Sequence, residues 1–222
     1  MADNKNELKV VKTEDGSFTV YNALLDETYH SSSGALQESM HVFIKNGFDR
    51  VVKSSISILE IGLGTGLNAS LTAIASLNKN VKTNYIALEP FPLSPLIMEE
   101  VSKGFDKETG DLMKKITQTL EETPILLNQN FSFTWYLSEI QTFITELNFD
   151  LIYYDAFAPD KQPDMWTYEI FDNLYRMLKP GGLLTTYCAK GSVKRMMKAA
   201  GFDVKNCEGP PGKREMTLAY RL

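Results

Sequence analysis

The stretch Ile56-Ser-Ile-Leu-Glu-Ile-Gly-Leu-Gly-Thr-Gly-Leu-Asn68 constrains this chain more than any other. An apolar run followed by glycines at 62, 64 and 66 reads as a buried strand. It breaks into a tight turn and then enters a helix. Such a turn exposes bare backbone to a ligand at the carboxyl end of a strand. The spacing is G-x-G-x-G. A dinucleotide fingerprint needs its third glycine at position 67, where this chain has leucine. A nicotinamide pyrophosphate is therefore disfavoured. Glu60, just before the turn, suits a ligand bearing a cationic group better than a diphosphate.

The rest of the chain alternates strand-like and helix-like segments. Candidate strands are 56–61, 84–88, 131–137, 150–155 and 182–188, with a last one over Glu215–Leu222. Candidate helices are 66–78, 92–103, 139–147, 165–178 and 191–200. Apolar strands alternating with helices predict an α/β fold with a mostly parallel sheet and helices on both faces. Ahead of it, residues 8–21 read as a hairpin turning at Asp15-Gly16. Gly34–Asn46 reads as a helix presenting Leu36, Met40, Phe43 and Ile44, ended by Gly47. Residues 104–128 form a charged insertion, helical around Asp111–Leu120. The expected organisation is an N-terminal extension over 1–50 packed on a core domain over 51–222.

The chain has 222 residues, 43% of them apolar, enough for a single core. No apolar run is long enough to span a membrane, and the first seven residues are polar, without a signal-like core. Two cysteines and two histidines give neither a disulfide framework nor a metal cluster. A cytoplasmic chain with no membrane and no metal is the expectation. The net charge of −5 is unevenly spread: residues 190–222 hold eight basic against three acidic side chains, a local +5 that leaves −10 elsewhere. Such a tail is either a face for a polyanion or a set of solvated helix residues.

Several side chains are placed for chemistry. Glu89 ends the second core strand, 23 residues after Gly66, where an acid can accept both hydroxyls of a ribose. Glu139 follows the third strand, either to meet an adenine amino group or to sit in the first turn of a helix. Asp155 ends the fourth strand and leads into Ala-Phe-Ala-Pro159. A carboxylate there can orient an amine and take its proton, and the Phe157 ring can stack on a base. Asp164 is placed to cap the helix that runs to Leu178, and Lys179-Pro-Gly-Gly182 to stop it. Trp166 either packs or stacks on a base.

The glycine turn after Glu60 resembles the first motif of Rossmann-like class I methyltransferases. Together with Glu89-Pro-Phe-Pro-Leu93, Asp155-Ala-Phe-Ala-Pro159, Gln162-Pro-Asp-Met-Trp166, Lys179-Pro-Gly-Gly182 and Gly212-Lys-Arg-Glu-Met216, it resembles the methyltransferase module of the MnmC family. Asp26-Glu-Thr-Tyr-His-Ser31 and Ala35-Leu-Gln-Glu-Ser39 echo a family segment near the cofactor. The departures are Ser138-Glu139, where Gly-Asp is usual, and Ala35-Leu-Gln37 in place of Gly-Leu-Glu. The resemblance runs from about residue 16 to the C-terminus and is strongest to stand-alone forms lacking the flavin oxidase half.

That resemblance implies an S-adenosylmethionine-dependent N-methyltransferase. Its reaction would convert 5-aminomethyl-2-thiouridine to the 5-methylaminomethyl base at the tRNA wobble position. It implies Tyr29, Glu38, Glu60, Gly62, Gly64, Gly66, Asn68, Glu89, Pro90, Glu139 and Asp155 around the cofactor, with Asp155 also beside the reacting amine. Phe157, Trp166, Lys190, Lys194, Arg195, Lys213 and Arg214 are the candidates for tRNA contacts. Aminopropyl transferases share the architecture but prefer Gly-Gly-Gly-Asp-Gly in the turn. A non-catalytic RNA-binding module is a further alternative, against which Asp155 and the complete turn argue.

Overall fold

A computed structural model describes residues 8–119 and 122–222. The chain opens with β1 (Leu8–Lys12), β2 (Phe18–Asn22) and the short β3 (Glu27–Thr28), an antiparallel sheet of three strands. The expected turn at Asp15-Gly16 forms, with the Asp15 carboxylate accepting from the Ser17 amide and the Thr13 hydroxyl. α1 (Ala35–Ser39) follows and widens into a π-helical stretch over Met40–Lys45. That widening changes the phase of the helix. Val42 joins Phe43 and Ile44 in the core, and Met40, expected inside, is exposed.

The core then runs β4 (Ser55–Ile61), α2 (Leu67–Lys79), β5 (Lys82–Leu88), α3 (Pro95–Val101), α4 (Lys107–Thr117), β6 (Ile125–Asn128), β7 (Phe131–Tyr136), β8 (Phe149–Tyr154), α5 (Tyr168–Met177), β9 (Leu178–Thr186), α6 (Gly191–Ala199), β10 (Asp203–Glu208) and β11 (Glu215–Tyr220). Eight strands form one sheet in the order β10-β11-β9-β8-β4-β5-β7-β6. The five central strands are parallel, and β6, β10 and β11 add antiparallel edges. Burial on both faces explains the continuous apolar run of β4. Leu59 and Ile61 pack toward α5 and α6 with Phe171, Leu174 and Met197. Ile56 and Ile58 pack on the opposite face toward α2 and the π-helical turn. A third cluster joins Val20, Ala35 and Ile44 of the N-terminal segment to Leu67, Leu71 and Met98. Chain order reverses between β4 and β8, which sets a crevice at the carboxyl ends of these strands.

The structure corrects several expectations. No helix forms over 139–147; one turn closes where Thr142 and Phe143 donate to the Glu139 carbonyl. Ile140 and Phe143 plug the core, but Ile144, next on the same helical face, is 94% exposed. β-branched residues at 142, 144 and 145 give little helix propensity to offset that. Asp164 does not cap α5: it lies in a 3-10 turn over Pro163–Met165, and the Thr167 hydroxyl accepts from the Ile170 amide instead. Lys179-Pro-Gly-Gly182 is not a loop. α5 passes directly into β9, and this segment is its irregular first half. The 104–128 insertion folds as α4 followed by edge strand β6. The helix starts earlier than expected, capped by Asp106, and ends at Thr117. Leu120, its expected end, lies outside the described residues. β10, an edge strand with few apolar residues, and β6, a four-residue edge strand inside the charged insertion, were not among the expected strands.

The base of the sheet is pinned by Asp150, which is 3% exposed. Its carboxylate accepts from Lys53 Nζ at 2.6 Å, Lys179 Nζ at 2.8 Å and the Ser57 amide at 2.8 Å. Burial opposes ionisation, but these three donors outweigh it and hold the carboxyl below its usual range. Asp150→Ala is expected to destabilise the fold by about 1–3 kcal/mol, since it removes two charge-assisted bonds and leaves the Ser57 amide unpaired. Urea unfolding midpoints at constant slope check this.

Candidate active site at the carboxyl ends of the central strands

Three strand ends meet at Gly62. Its amide donates to the Leu88 carbonyl at 3.0 Å, and the Asp155 amide donates to the Ile61 carbonyl at 3.0 Å. A Cβ on Gly62 would stand 2.7 Å from the Asp155 carbonyl oxygen, and its φ is +87°. Only glycine lets β4 and β8 approach this closely. Gly64 faces the Tyr29 ring, and Gly66 takes a left-handed conformation at the start of α2.

Above this floor lies a cavity of about 910 Å³. Gly62 and Gly64 line its base. Tyr29, His30, Ser31 and Glu38 line one wall, Glu89, Pro90 and Glu139 the far end, and Asp155, Phe157, Tyr187 and Lys213 the near end. Among the described lining residues, six carboxylates face a single ammonium. Both oxygens of Glu89 accept backbone bonds, from the Gly64 and Phe91 amides at 2.9 Å each. That fixes the carboxylate at the end of β5 and leaves each oxygen a free lone pair for a hydroxyl. Burial raises its pKa, against the pull of those amides.

Asp155 caps β8 on the cavity floor. Its Oδ2 accepts from Asn68 Nδ2 at 2.8 Å, and the same nitrogen donates to Glu60 Oε1 at 3.0 Å. One neutral amide thus bridges two carboxyl groups. Burial pushes the Asp155 pKa up to about 7, helped by the Glu38 charge and opposed by Asn68 and Lys213. Glu60 is fully buried and does not line the cavity; burial drives its pKa well above the ordinary range. Glu60 therefore lies beneath the floor and reaches the site through Asn68.

Glu38 Oε2 accepts from the Ser31 amide at 2.7 Å, and its Oε1 from Lys213 Nζ at 2.6 Å. The ammonium also lies 4.0 Å from the centroid of the Tyr187 ring. The Tyr187 hydroxyl in turn donates to the Ala156 carbonyl at 2.8 Å. His30 Nε2 sits 2.9 Å from the Thr65 hydroxyl, tying the N-terminal segment to the glycine turn. Burial pushes its pKa down to about 4, so the ring is neutral.

The other expected site residues separate into groups. Phe157 lines the cavity, its ring edge-on to Tyr29 with centroids 5.0 Å apart. Trp166 does not face a base: it is buried, packs edge-on against Tyr154 and donates from its indole to the Phe157 carbonyl at 2.7 Å. Glu139 lines the cavity, and with no helix formed there the dipole reading of this residue falls away. Lys213 points inward. Lys194 is mostly buried and paired with Glu215 at 3.0 Å. Lys190, in an ion pair with Asp160, and Arg195 and Arg214 are exposed. Lys190 and Arg214 edge a second depression of about 540 Å³ that shares Ala158, Tyr187 and Lys213 with the main cavity.

His30, Tyr187 and the Glu38–Lys213 pair escaped sequence reasoning. Glu38 and Lys213 lie 175 residues apart, and nothing local marks them as partners. The Tyr-His dipeptide inside Asp26–Ser31 is the one signal that pointed toward His30.

A family model described as S-adenosyl-L-methionine-dependent methyltransferase matches residues 103–222. The chain belongs to this methyltransferase family. A bifunctional protein MnmC of tRNA 5-methylaminomethyl-2-thiouridine biosynthesis from Cupriavidus metallidurans is 31% identical over 228 residues, 94% of this chain and 33% of that protein. Its namesake from Marinomonas is 29% identical, covering 92% of this chain and 32% of the relative. The methyltransferase thus spans about a third of the length of these relatives. The crystal structure of MnmC2 from Aquifex aeolicus shares the fold at a TM-score of 0.78 and 23% identity, over 98% of this chain and 72% of that one. Among the described residues no helix is long and apolar enough to cross a membrane, and no three His, Cys, Asp or Glu side chains are grouped to hold a metal ion.

The cavity fits the methyl donor of this family. Its acidic lining suits a sulfonium, the glycine turn leaves room for a chain beside the backbone, and the fixed Glu89 suits a ribose.

Asp155 should betray its strain in stability. Its folded pKa of about 7 exceeds the unfolded value of about 3.9, so the folded chain binds more protons between these limits. Its contribution to stability therefore falls as pH rises from about 4 to about 7. His30 shifts the opposite way but is common to both proteins in a comparison with Asp155→Asn. The variant is expected to melt about 3–6 °C above wild type at pH 8, with the gap shrinking toward pH 5. Calorimetric scans at both pH values check it.

Proposed function

We propose that this methyltransferase acts on a primary amine, the aminomethyl group of a modified wobble uridine in tRNA, and converts it to the methylamine. The observation that carries the reading is Asp155, a partly desolvated carboxylate at the cavity floor beside the glycine turn. The names of the relatives that match 90% or more of the chain support the choice of acceptor. The alternative aminopropyl transfer has no feature of the cavity in its favour.

When bound, S-adenosylmethionine supplies an electrophilic methyl group on a sulfonium and departs as a neutral thioether. Gly62, Gly64, Glu38 and Glu89 would hold it. The acceptor nitrogen must be neutral, because an ammonium has no lone pair. Asp155 orients that nitrogen and accepts the proton it sheds as the N–C bond forms. Asn68 fixes the carboxylate, and the wall of Tyr29, Phe157 and Tyr187 keeps water from the reacting atoms. Holding nucleophile and electrophile in line is worth roughly 7–11 kcal/mol, the larger share of the catalysis. Phe157 stacks on the target base. Exposed Lys190, Arg195 and Arg214 meet phosphates, whereas the −10 remainder of the chain limits the contact to this end. A reaction on tRNA places the enzyme in the cytoplasm.

Undermodified tRNA carrying 5-aminomethyl-2-thiouridine, incubated with S-adenosylmethionine, is expected to gain one methyl group on that nucleoside by mass spectrometry. Asp155→Ala should lower kcat by about 100-fold or more with little change in cofactor affinity by calorimetry. No transfer to this nucleoside would defeat the substrate reading, and near-normal turnover by the variant would defeat the role of Asp155. Replacing Lys190, Arg195 and Arg214 with alanine should weaken tRNA binding and flatten its dependence on salt. An unchanged slope would remove these side chains from the interface.

A further inference from the structure

Two carboxylates line the cavity together, Glu38 from the N-terminal segment and Asp155 at the end of β8, and the Glu38 charge helps to raise the Asp155 pKa. A catalyst that needs a neutral amine is ill served by this pair. Every unpaired carboxylate near the nitrogen stabilises the inert ammonium. Lys213 is the only ammonium among the described residues lining the cavity, and its 2.6 Å bond goes to Glu38, not to Asp155. The ammonium also sits over the Tyr187 ring, and Tyr187 is fixed to the Ala156 carbonyl beside Asp155. The ammonium is thus tied into the wall by an ion pair and a ring contact.

We infer that Lys213 is a positioning residue for charge: by pairing with Glu38 it leaves Asp155 as the single proton acceptor and keeps the acceptor amine in its neutral, nucleophilic form. The inference rests on the amine reading of the substrate. The groups facing this spot from the other elements do not supply the same effect. Glu60 beneath the floor is pushed toward its protonated form by burial, and His30 is neutral. Tyr29 and Tyr187 are raised by burial, as is the Cys188 thiol. Glu89 is held by two amides at the far end, and Glu27 lies toward the N-terminal sheet. Lys190 and Lys194, on the α6 side, are paired with Asp160 and Glu215. Removal of Lys213 therefore leaves the Glu38 carboxylate without its ammonium beside Asp155 and the amine.

The test uses Lys213→Met, Glu38→Gln and the double variant, each as the full chain with folding checked by thermal melting. First, the Asp155 carboxyl is titrated by carbon NMR without substrate, its signal assigned with Asp155→Asn. Lys213→Met is expected to raise its midpoint by about one pH unit, and the double variant to return it near wild type. Second, the acid limb of kcat/KM for the aminomethyl tRNA is expected to move up by about one unit in Lys213→Met, to recover at high pH, and to return in the double variant. If Lys213→Met does not fold, the comparison of Glu38→Gln and the double variant against wild type decides. Glu38→Gln, which leaves the ammonium unpaired beside Asp155, should lower the midpoint, and loss of the ammonium should then raise it again.

An unmoved Asp155 midpoint overturns the inference. So does a drop in kcat/KM that is equal at every pH and accompanied by a flatter salt dependence, which is the signature of a phosphate contact. If wild type transfers no methyl to the aminomethyl tRNA, the substrate reading fails instead, and the NMR titration still decides whether Lys213 sets the charge of this wall.

Discussion

The approach of β4 and β8 at Gly62 is the contact on which the site depends. Backbone bonds from Gly62 to Leu88 and from Asp155 to Ile61 draw three strand ends together, and a side chain at position 62 would strike the Asp155 carbonyl. The same closeness puts Asp155 and Glu60, on neighbouring strands, within reach of one amide. Asn68, the second residue of α2, can only bridge them because the glycine turn aims the start of that helix back across the strand ends. A loosened Gly62 would separate cofactor floor, catalytic carboxylate and their common anchor in one step.

Around that contact the fold manages an excess of negative charge. The cavity carries six carboxylates because its expected contents, a sulfonium and an amine, are or can become cations. Those nearest the glycine turn are handled differently. Glu89 is satisfied by two backbone amides and Glu38 by an amide and an ammonium, while beneath the floor burial pushes Glu60 toward its neutral form. Asp155 receives only the shared amide of Asn68, and so it is the one left poised near neutrality.

The sequence revealed what local pattern controls. The apolar run into Gly62-Leu-Gly-Thr-Gly66 specified strand, turn and helix, and the positions of Glu89 and Asp155 at strand ends followed from counting. The parallel core was legible because both faces of β4 and β8 are buried. Reading failed where a residue's partner lies far along the chain or where tertiary packing overrides periodicity. Ile140, Phe143 and Ile144 have helical spacing, yet only the first two find a core to enter. Lys179-Pro-Gly-Gly182 does stop the helix, as expected, but the strand begins at Leu178 instead of 182, with Lys179 paired to Asp150. Trp166 has the composition of a stacking platform, but its indole is used up on Phe157.

Lys213 shows why charge composition misled most. A basic tail of +5 read as one polyanion face counts five candidate cations as equivalents. In the fold they divide by depth. Lys190, Arg195 and Arg214 remain at the surface, Lys194 is consumed by Glu215, and Lys213 turns inward to Glu38. The net charge of the tail is therefore a poor measure of its attraction for a phosphate backbone, because at least two of its cations, Lys194 and Lys213, are already paired with carboxylates. What those two cations do instead is compensate acids. In the case of Lys213 the compensated acid belongs to the N-terminal segment, so a single ion pair closes the two ends of the chain over the cavity. The proposed contact with a polyanion outside and the pairing of carboxylates inside thus draw on one short stretch of sequence, and only the fold tells the two uses apart.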